Sequence, residues 1–334
     1  MKLLLTLILL FGLCLTTANA ATAKREFIID TDVGVDDAIA ILYLAQQPDI
    51  HISAITIEAD GNAHCKPAFA NVLGLLQLVK QPNIPIACGR AIPLKGDHKF
   101  PAAILQESDT LANTPLVKPV IPKQIPPAKQ LLMNTLTTAE YPVSILAIGP
   151  LTTIAQVLAE KPRLKNKIRR IYLMGGAVFA PGNVKIVDPK INNTVAEWNI
   201  FIDPYAAKQV FRSGVPITMV PLGVTNTVPI DNTFYERIKH DNHTPAANFV
   251  YELLALNLDL IKAKEWYFWD PMAAVVASDP SLVTTKTLPI SIRLSPASQS
   301  GQTFIDRKHG TPIQVSTKID AKHFKDRLLK GLNN

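Results

Sequence analysis

The chain alternates short apolar, β-branched runs with segments whose apolar residues recur every three or four positions. The first pattern is that of a buried strand and the second that of a helix with one face on a core. On this reading strands occupy residues 27–29, 52–57, 84–87, 143–147, 168–174 and 217–222. Helices occupy residues 38–44, 68–80, 128–139, 152–159, 205–213, 234–239, 244–261 and 271–278. Residues 288–294 and 302–308 read as strands of a final antiparallel addition, and residues 90–127, rich in Pro and polar side chains, as a long irregular stretch. Such alternation predicts an α/β fold: a mostly parallel, doubly wound central sheet with helices on both faces. No repeat or linker divides the chain, so residues 21–334 are expected to form one domain.

The N-terminus departs from this pattern. Lys2 precedes an apolar run from Leu3 to Leu15, then Thr16-Thr17-Ala18-Asn19-Ala20. A basic start, a short apolar stretch and an Ala-x-Ala ending predict a signal peptide over residues 1–20, cleaved near Ala20, and a periplasmic or secreted chain. No later run reaches the length of a membrane span, so no membrane association is expected after cleavage. The net charge of +7 comes from dispersed Lys and Arg with few interleaved aromatics, which argues for a solvated surface and against a nucleic-acid partner. Cys65 and Cys88 remain in the mature chain, and whether they pair is open.

Chemistry concentrates at the first strand-to-helix turn. Asp30, Asp32, Asp36 and Asp37 fall within eight positions. Packed carboxylates repel, and a fold keeps them together only where a cation neutralises them, most simply a divalent metal. Gly34 is expected to allow the bend, while Asp36 and Asp37 suit the first turn of a helix. Glu197 and Asn199 form a second group: in an extended segment they would project to one side and offer the acceptors and donors a polyhydroxylated ligand needs. In a third, Trp269 precedes Asp270, a flat π surface beside an acid, suited to a planar heterocycle.

The order of these motifs resembles the nucleoside hydrolase family. The resemblance rests on Asp30-Thr31-Asp32-Val33-Gly34-Val35-Asp36-Asp37, Ile148-Gly149-Pro150-Leu151-Thr152, Leu173-Met174-Gly175-Gly176, Ala196-Glu197-Trp198-Asn199 and Trp269-Asp270. Within the family the chain looks most like the purine-preferring group, from Trp198 between Glu197 and Asn199, the run Thr225-Asn226-Thr227-Val228-Pro229, and Trp instead of His before Asp270.

The resemblance implies hydrolysis of the N-glycosidic bond of purine ribonucleosides to base and ribose, with one calcium ion per chain. Carried over residue by residue, Asp32, Asp37, Asp270 and the Ile148 carbonyl would hold the calcium, an all-oxygen set that suits a hard cation. Asp32 would also be the general base toward water. Asp36 and Asn199 would grip the ribose 2′- and 3′-hydroxyls, Asn183 and Glu197 the 5′-hydroxyl, with Met174 and Trp198 in the same pocket. Trp269 would stack on the base, with Phe100 or an aliphatic side chain as the opposite wall. Asp60 and Asn62 compete for one further contact, and the Ala59-Asp60 context favours Asp60. Residues 185–193 and 90–127 are expected to form a lid. By analogy the chain would form a homodimer or homotetramer. Two other readings stay open: a hydrolase that accepts pyrimidine nucleosides, and a secreted protein that binds nucleosides or ribose without turnover.

Overall fold

A computed structural model describes residues 24–117 and 119–334; the proposed signal peptide lies outside them. Nine strands form one sheet: β1 (Arg25–Thr31), β2 (Ile50–Ile57), β3 (Ile86–Cys88), β4 (Val143–Ala147), β5 (Ile168–Met174), β6 (Ile217–Val220), β7 (Val283–Ile292), β8 (Thr303–Ile305) and β9 (Thr311–Ile319). Their order is β3-β2-β1-β4-β5-β6-β9-β7-β8. All neighbours from β3 to β9 are parallel, and β7 pairs antiparallel with both β9 and β8.

The sheet is buried on both faces, as the continuous apolar runs require. Along β1, Phe27 and Ile29 enter one core and Ile28 the other. The first core is closed by the helices Val35–Ala45, Cys65–Leu78, Pro245–Leu256, Trp269–Ser278 and Ala321–Leu332. The second is closed by Ala128–Thr138, Thr152–Glu160 and Pro204–Phe211.

The chain leaves β1 toward β2 on one side and later returns to β4 on the other, so the strand order reverses between β1 and β4. Open α/β sheets form their binding crevice outside the carboxyl ends of the strands at such a reversal. The acidic turn that follows β1 and the Ile148-Gly149 turn that follows β4 both lie there.

Several elements differ from the sequence reading. The expected helix 244–261 is two helices, Pro245–Leu256 and Leu258–Ala263, broken at Asn257, whose side-chain amide donates to the Leu253 carbonyl at 2.8 Å. The irregular stretch contains the helix Ala102–Asp109. The C-terminal addition holds a long strand, β9, that runs parallel to β6, followed by the helix Ala321–Leu332. Cys65 and Cys88 are joined by a disulfide bond, with Cα atoms 5.9 Å apart.

Candidate active site

The acidic turn is built by short-range hydrogen bonds. Thr31 Oγ1 donates to Asp37 Oδ1, and the Gly34 N–H donates to Asp37 Oδ2 at 2.8 Å. The Val33 N–H donates to Thr31 Oγ1 at 3.1 Å. The left-handed residue of the bend is Val33, at φ 59°, and not Gly34, which is extended at φ −66°. A β-branched side chain there costs roughly 1–3 kcal/mol, a strain characteristic of functional sites. Gly34 is needed for space instead: a Cβ on it would lie 2.9 Å from both Asn62 Nδ2 and Asp37 Oδ2.

Asp36, Asp37 and Asp270 each bring one carboxylate oxygen to within 4.8 Å of the others. Asp270 arrives from the first turn of the helix Trp269–Ser278, and its N–H donates to Asp36 Oδ2 at 3.3 Å. Asp32 lies against this group, fully buried. Its Oδ2 accepts from the Asn62 N–H at 3.0 Å, while its Oδ1 is buried with no partner among the described residues. Gly61 and Gly149 leave room for Asp32; a side chain on either would collide with it. The turn after β4 is thereby pressed against the acidic turn, and Ile148 is anchored by its N–H to the Asp30 carbonyl at 2.8 Å.

Above these acids opens a cleft of about 240 Å³. Asp36, Asn62, Asp270, Met174, Asn183, Glu197, Trp198 and Asn199 line one part of it. Glu197 and Asn199 do not share one extended segment as expected: Glu197, itself extended, caps the short helix Trp198–Ile202, within which Asn199 lies. Its carboxylate accepts from the N–H groups of Asn199 (2.8 Å), Gly176 (2.8 Å) and Ile200 (3.2 Å). Three of about four acceptor positions are thus occupied, which leaves one toward the cleft. Asn183 Oδ1 accepts from the Trp198 N–H, so its amide nitrogen is free to donate. Asn199 Nδ2 donates to the Met174 carbonyl, so its oxygen is free to accept.

The remaining lining is mostly apolar: Trp269, Trp266, Ile104, Leu260, Val187 and Phe100, with Glu107, Ser108, Asn257 and Glu265 between them. Trp269 Nε1 donates to Asn226 Oδ1 at 3.0 Å, which fixes the indole plane. Phe100 stacks on Trp198 with ring centroids 4.6 Å apart. Its partner is therefore the neighbouring indole, so its ring braces the wall of the cleft beside Trp198.

The chain matches the model of the inosine-uridine preferring nucleoside hydrolases over residues 27–326. It belongs to that family. Among its relatives is the pyrimidine-specific ribonucleoside hydrolase RihA of Salmonella paratyphi B, 34% identical over 316 residues that span 91% of this chain and 97% of the relative. The protein of the same description from Klebsiella pneumoniae is 33% identical over 313 residues, with the same coverage of each chain. An inosine-uridine preferring nucleoside hydrolase from Bacillus anthracis superposes with a TM-score of 0.78 at 25% identity, covering 92% of this chain and 99% of its own. The purine-preferring ribonucleoside hydrolase of Gardnerella vaginalis shares the fold, with a TM-score of 0.79 at 24% identity, covering 92% and 98%. As a nucleoside hydrolase, the chain acts on small-molecule nucleosides.

Nucleoside hydrolases bind a metal ion, and the donor set here fits a hard cation: every candidate ligand is an oxygen, and among them the buried Asp32 Oδ1 has no partner among the described residues. Burial, and after it mutual repulsion, sets the charge state of these acids without an ion. Asp32 and Asp270 are held well above the usual carboxylate range, mainly by burial and then by neighbouring aspartates. Burial pushes Asp37 up to about 7 and Asp36 up to about 6. Glu197, also raised chiefly by burial, reaches about 7.

Asp60 does not join the cleft lining; Asn62 does. Asp60 turns into a second buried acid group. Thr152 Oγ1 lies 2.7 Å from Asp60 Oδ2 and 3.1 Å from Asp203 Oδ2, and its single proton cannot serve both. Glu58 accepts from the Thr153 N–H (2.7 Å) and Oγ1 (2.9 Å), while Asp30 accepts from Thr56 Oγ1. The sequence reading missed Glu58, and missed Glu107 and Ser108 because residues 90–127 carried no clear helical period. Asn226 was visible only as part of a motif.

Proposed function

We propose that residues 21–334 act as one exported domain that hydrolyses the N-glycosidic bond of ribonucleosides, with purine nucleosides preferred. The observation that carries the preference is Trp269: a neutral indole, fixed by Asn226, stands beside Asp270 where a planar base would stack. Export is supported by the signal-like N-terminus and by the Cys65–Cys88 disulfide, a bond that persists in oxidising compartments.

Asp32, Asp37, Asp270 and the Ile148 carbonyl would hold a calcium ion. When bound, the ion lowers the pKa of water at the site and offsets the repulsion among the acids. Asp32, through its unpartnered Oδ1, takes the proton of the attacking water. Asp36 and Asn199 accept from the ribose 2′- and 3′-hydroxyls, while Asn183 and Glu197 orient the 5′-hydroxyl. The transition state carries positive charge on the sugar ring, as in other glycosidic cleavages. Carboxylates around the ring favour that charge over the neutral ground state. Asn62, at the cleft surface, supplies the further contact for which Asp60 competed.

A second reading, a pyrimidine-accepting hydrolase, is favoured by the relatives described as pyrimidine-specific at 34% and 33% identity. Steady-state kinetics with inosine and uridine separates the two. The expected result is a higher kcat/KM for inosine; a preference for uridine selects the second reading. Asp32→Asn should lower kcat by at least about 10²-fold. Binding of inosine without release of base would instead indicate a nucleoside-binding protein.

A further inference from the structure

Breaking the N-glycosidic bond leaves its electron pair on the base, and a nucleobase departs readily only if a proton reaches it. Among the described residues lining the cleft there is no histidine, and the aspartates there belong to the acidic turn and its partner Asp270. Three other acids line the cleft: Glu197, whose carboxylate is held by three backbone N–H groups, Glu265, which is exposed to solvent, and Glu107.

Glu107 sits in the last turn of the helix Ala102–Asp109 and is half-buried beside Ile104 and Ser108, which line the same cleft. Burial is the one influence that acts on its carboxyl, which it raises above the ordinary glutamate range; no hydrogen-bond donor or cation among the described residues holds it ionised. The end of this helix is also firmly placed. The Asp109 carboxylate meets the His64 N–H and the His64 ring nitrogen, both at 2.8 Å. Asn71 Nδ2 donates to the carbonyls of Ser108 and Asp109, both at 3.2 Å. The Glu107 carbonyl accepts from the N–H groups of Thr110 (3.3 Å) and Ala112 (2.9 Å).

The chain then turns through three consecutive left-handed residues, none of them glycine: Leu111 at φ 48°, Ala112 at 53° and Asn113 at 60°. Each costs roughly 1–3 kcal/mol for a residue with a Cβ, strain that persists only where the surroundings over-determine the backbone. It is stored four residues after Glu107, a cleft-lining residue whose carboxyl has no hydrogen-bond partner among the described residues.

We propose that Glu107 is the general acid that protonates the departing base. The assignment rests on the reading of the site as an N-glycosidic hydrolase. As the C1′–N bond breaks, its electron pair moves onto the base, and the Glu107 carboxyl gives its proton to a ring nitrogen, N7 in a purine. The water oxygen bonds to C1′ and the water proton passes to Asp32. Water is thereby added across the bond, and before the next turnover Asp32 releases its proton to solvent while the Glu107 carboxylate regains one.

The test compares two leaving groups. Glu107→Gln and Glu107→Ala are assayed on inosine and on p-nitrophenyl β-ribofuranoside, whose phenolate leaves without a proton. The expected result is a kcat for inosine at least about 10²-fold below the unsubstituted chain, with the rate on the p-nitrophenyl riboside unchanged. That unchanged rate also shows that the variant is folded. Variants as fast as the unsubstituted chain on inosine, or slowed equally on both substrates, would overturn the assignment while the hydrolase reading stands. An unsubstituted chain inert toward both would overturn the hydrolase reading and the assignment with it.

Discussion

At the residue scale, the two acids of Glu58-Ala59-Asp60 and the amide of Asn62 part company within one turn. Asn62 gives its N–H to Asp32 and lines the cleft, while Asp60 is tied to Thr152 in the interior. Two consequences follow, each with its own measurement. Asn62→Ala should raise KM for inosine by up to about tenfold, the worth of one substrate hydrogen bond. Asp60→Asn should leave that KM unchanged. Because burial lifts the Asp60 carboxyl to about 7, its ionisation at higher pH costs folding energy, and the amide removes that cost. Thermal melts at about pH 8 should therefore show Asp60→Asn more stable than the unsubstituted chain. A rise in KM for Asp60→Asn alone would reverse the assignment of the two residues. The acidic cluster was legible in the sequence because four carboxylates in eight positions have few neutral explanations, and two of them, Asp36 and Asp37, meet Asp270 in the structure. Asp60 against Asn62 was not legible, since the direction of each side chain depends on the turn after β2. Nor was the strain at Val33, because Gly34 is the residue that sequence logic elects for a left-handed bend.

At the element scale, the parallel strands and their flanking helices were readable because both faces are buried and the apolar runs are unbroken. Three features were not. Nothing in the period of residues 244–261 shows the break at Asn257, where a side-chain amide competes for a helical carbonyl. The helix Ala102–Asp109 has a single fully buried side chain, Ser108, and so carries hardly any apolar stripe. The pairing of Cys65 and Cys88 depends on the helix Cys65–Leu78 starting beside the end of β3, a tertiary fact. That bond closes a loop between residues 23 apart, only three positions beyond Asn62. Its loss should cost about 3 kcal/mol by loop-closure entropy. Denaturant melts of Cys88→Ser, and of the unsubstituted chain under reducing conditions, should both show that drop; matching midpoints in oxidised and reduced chains would refute it.

At the scale of the whole molecule, the strand order places the turns after β1 and β4 at one point, and the helix Trp269–Ser278 brings Asp270 to it from more than two hundred residues away. The fold thereby buries acids that repel one another. Asp37, Asp30 and Glu197 are each lifted to about 7, mainly by burial, from ordinary values of 3.8, 3.8 and 4.5. Raised carboxyls bind more protons folded than unfolded, so they favour folding below their unfolded values and lose that advantage as pH rises through about 7. A cation that holds the ionised forms should cancel the loss. The decisive measurement is the melting temperature of the metal-free chain at about pH 5 and about pH 8, with and without saturating calcium. We expect a lower Tm at the higher pH without the ion, recovery of that loss when calcium is added, and no recovery in Asp270→Asn. A Tm at the higher pH that ignores calcium would contradict a site in which Asp32, Asp37 and Asp270 converge on one metal ion.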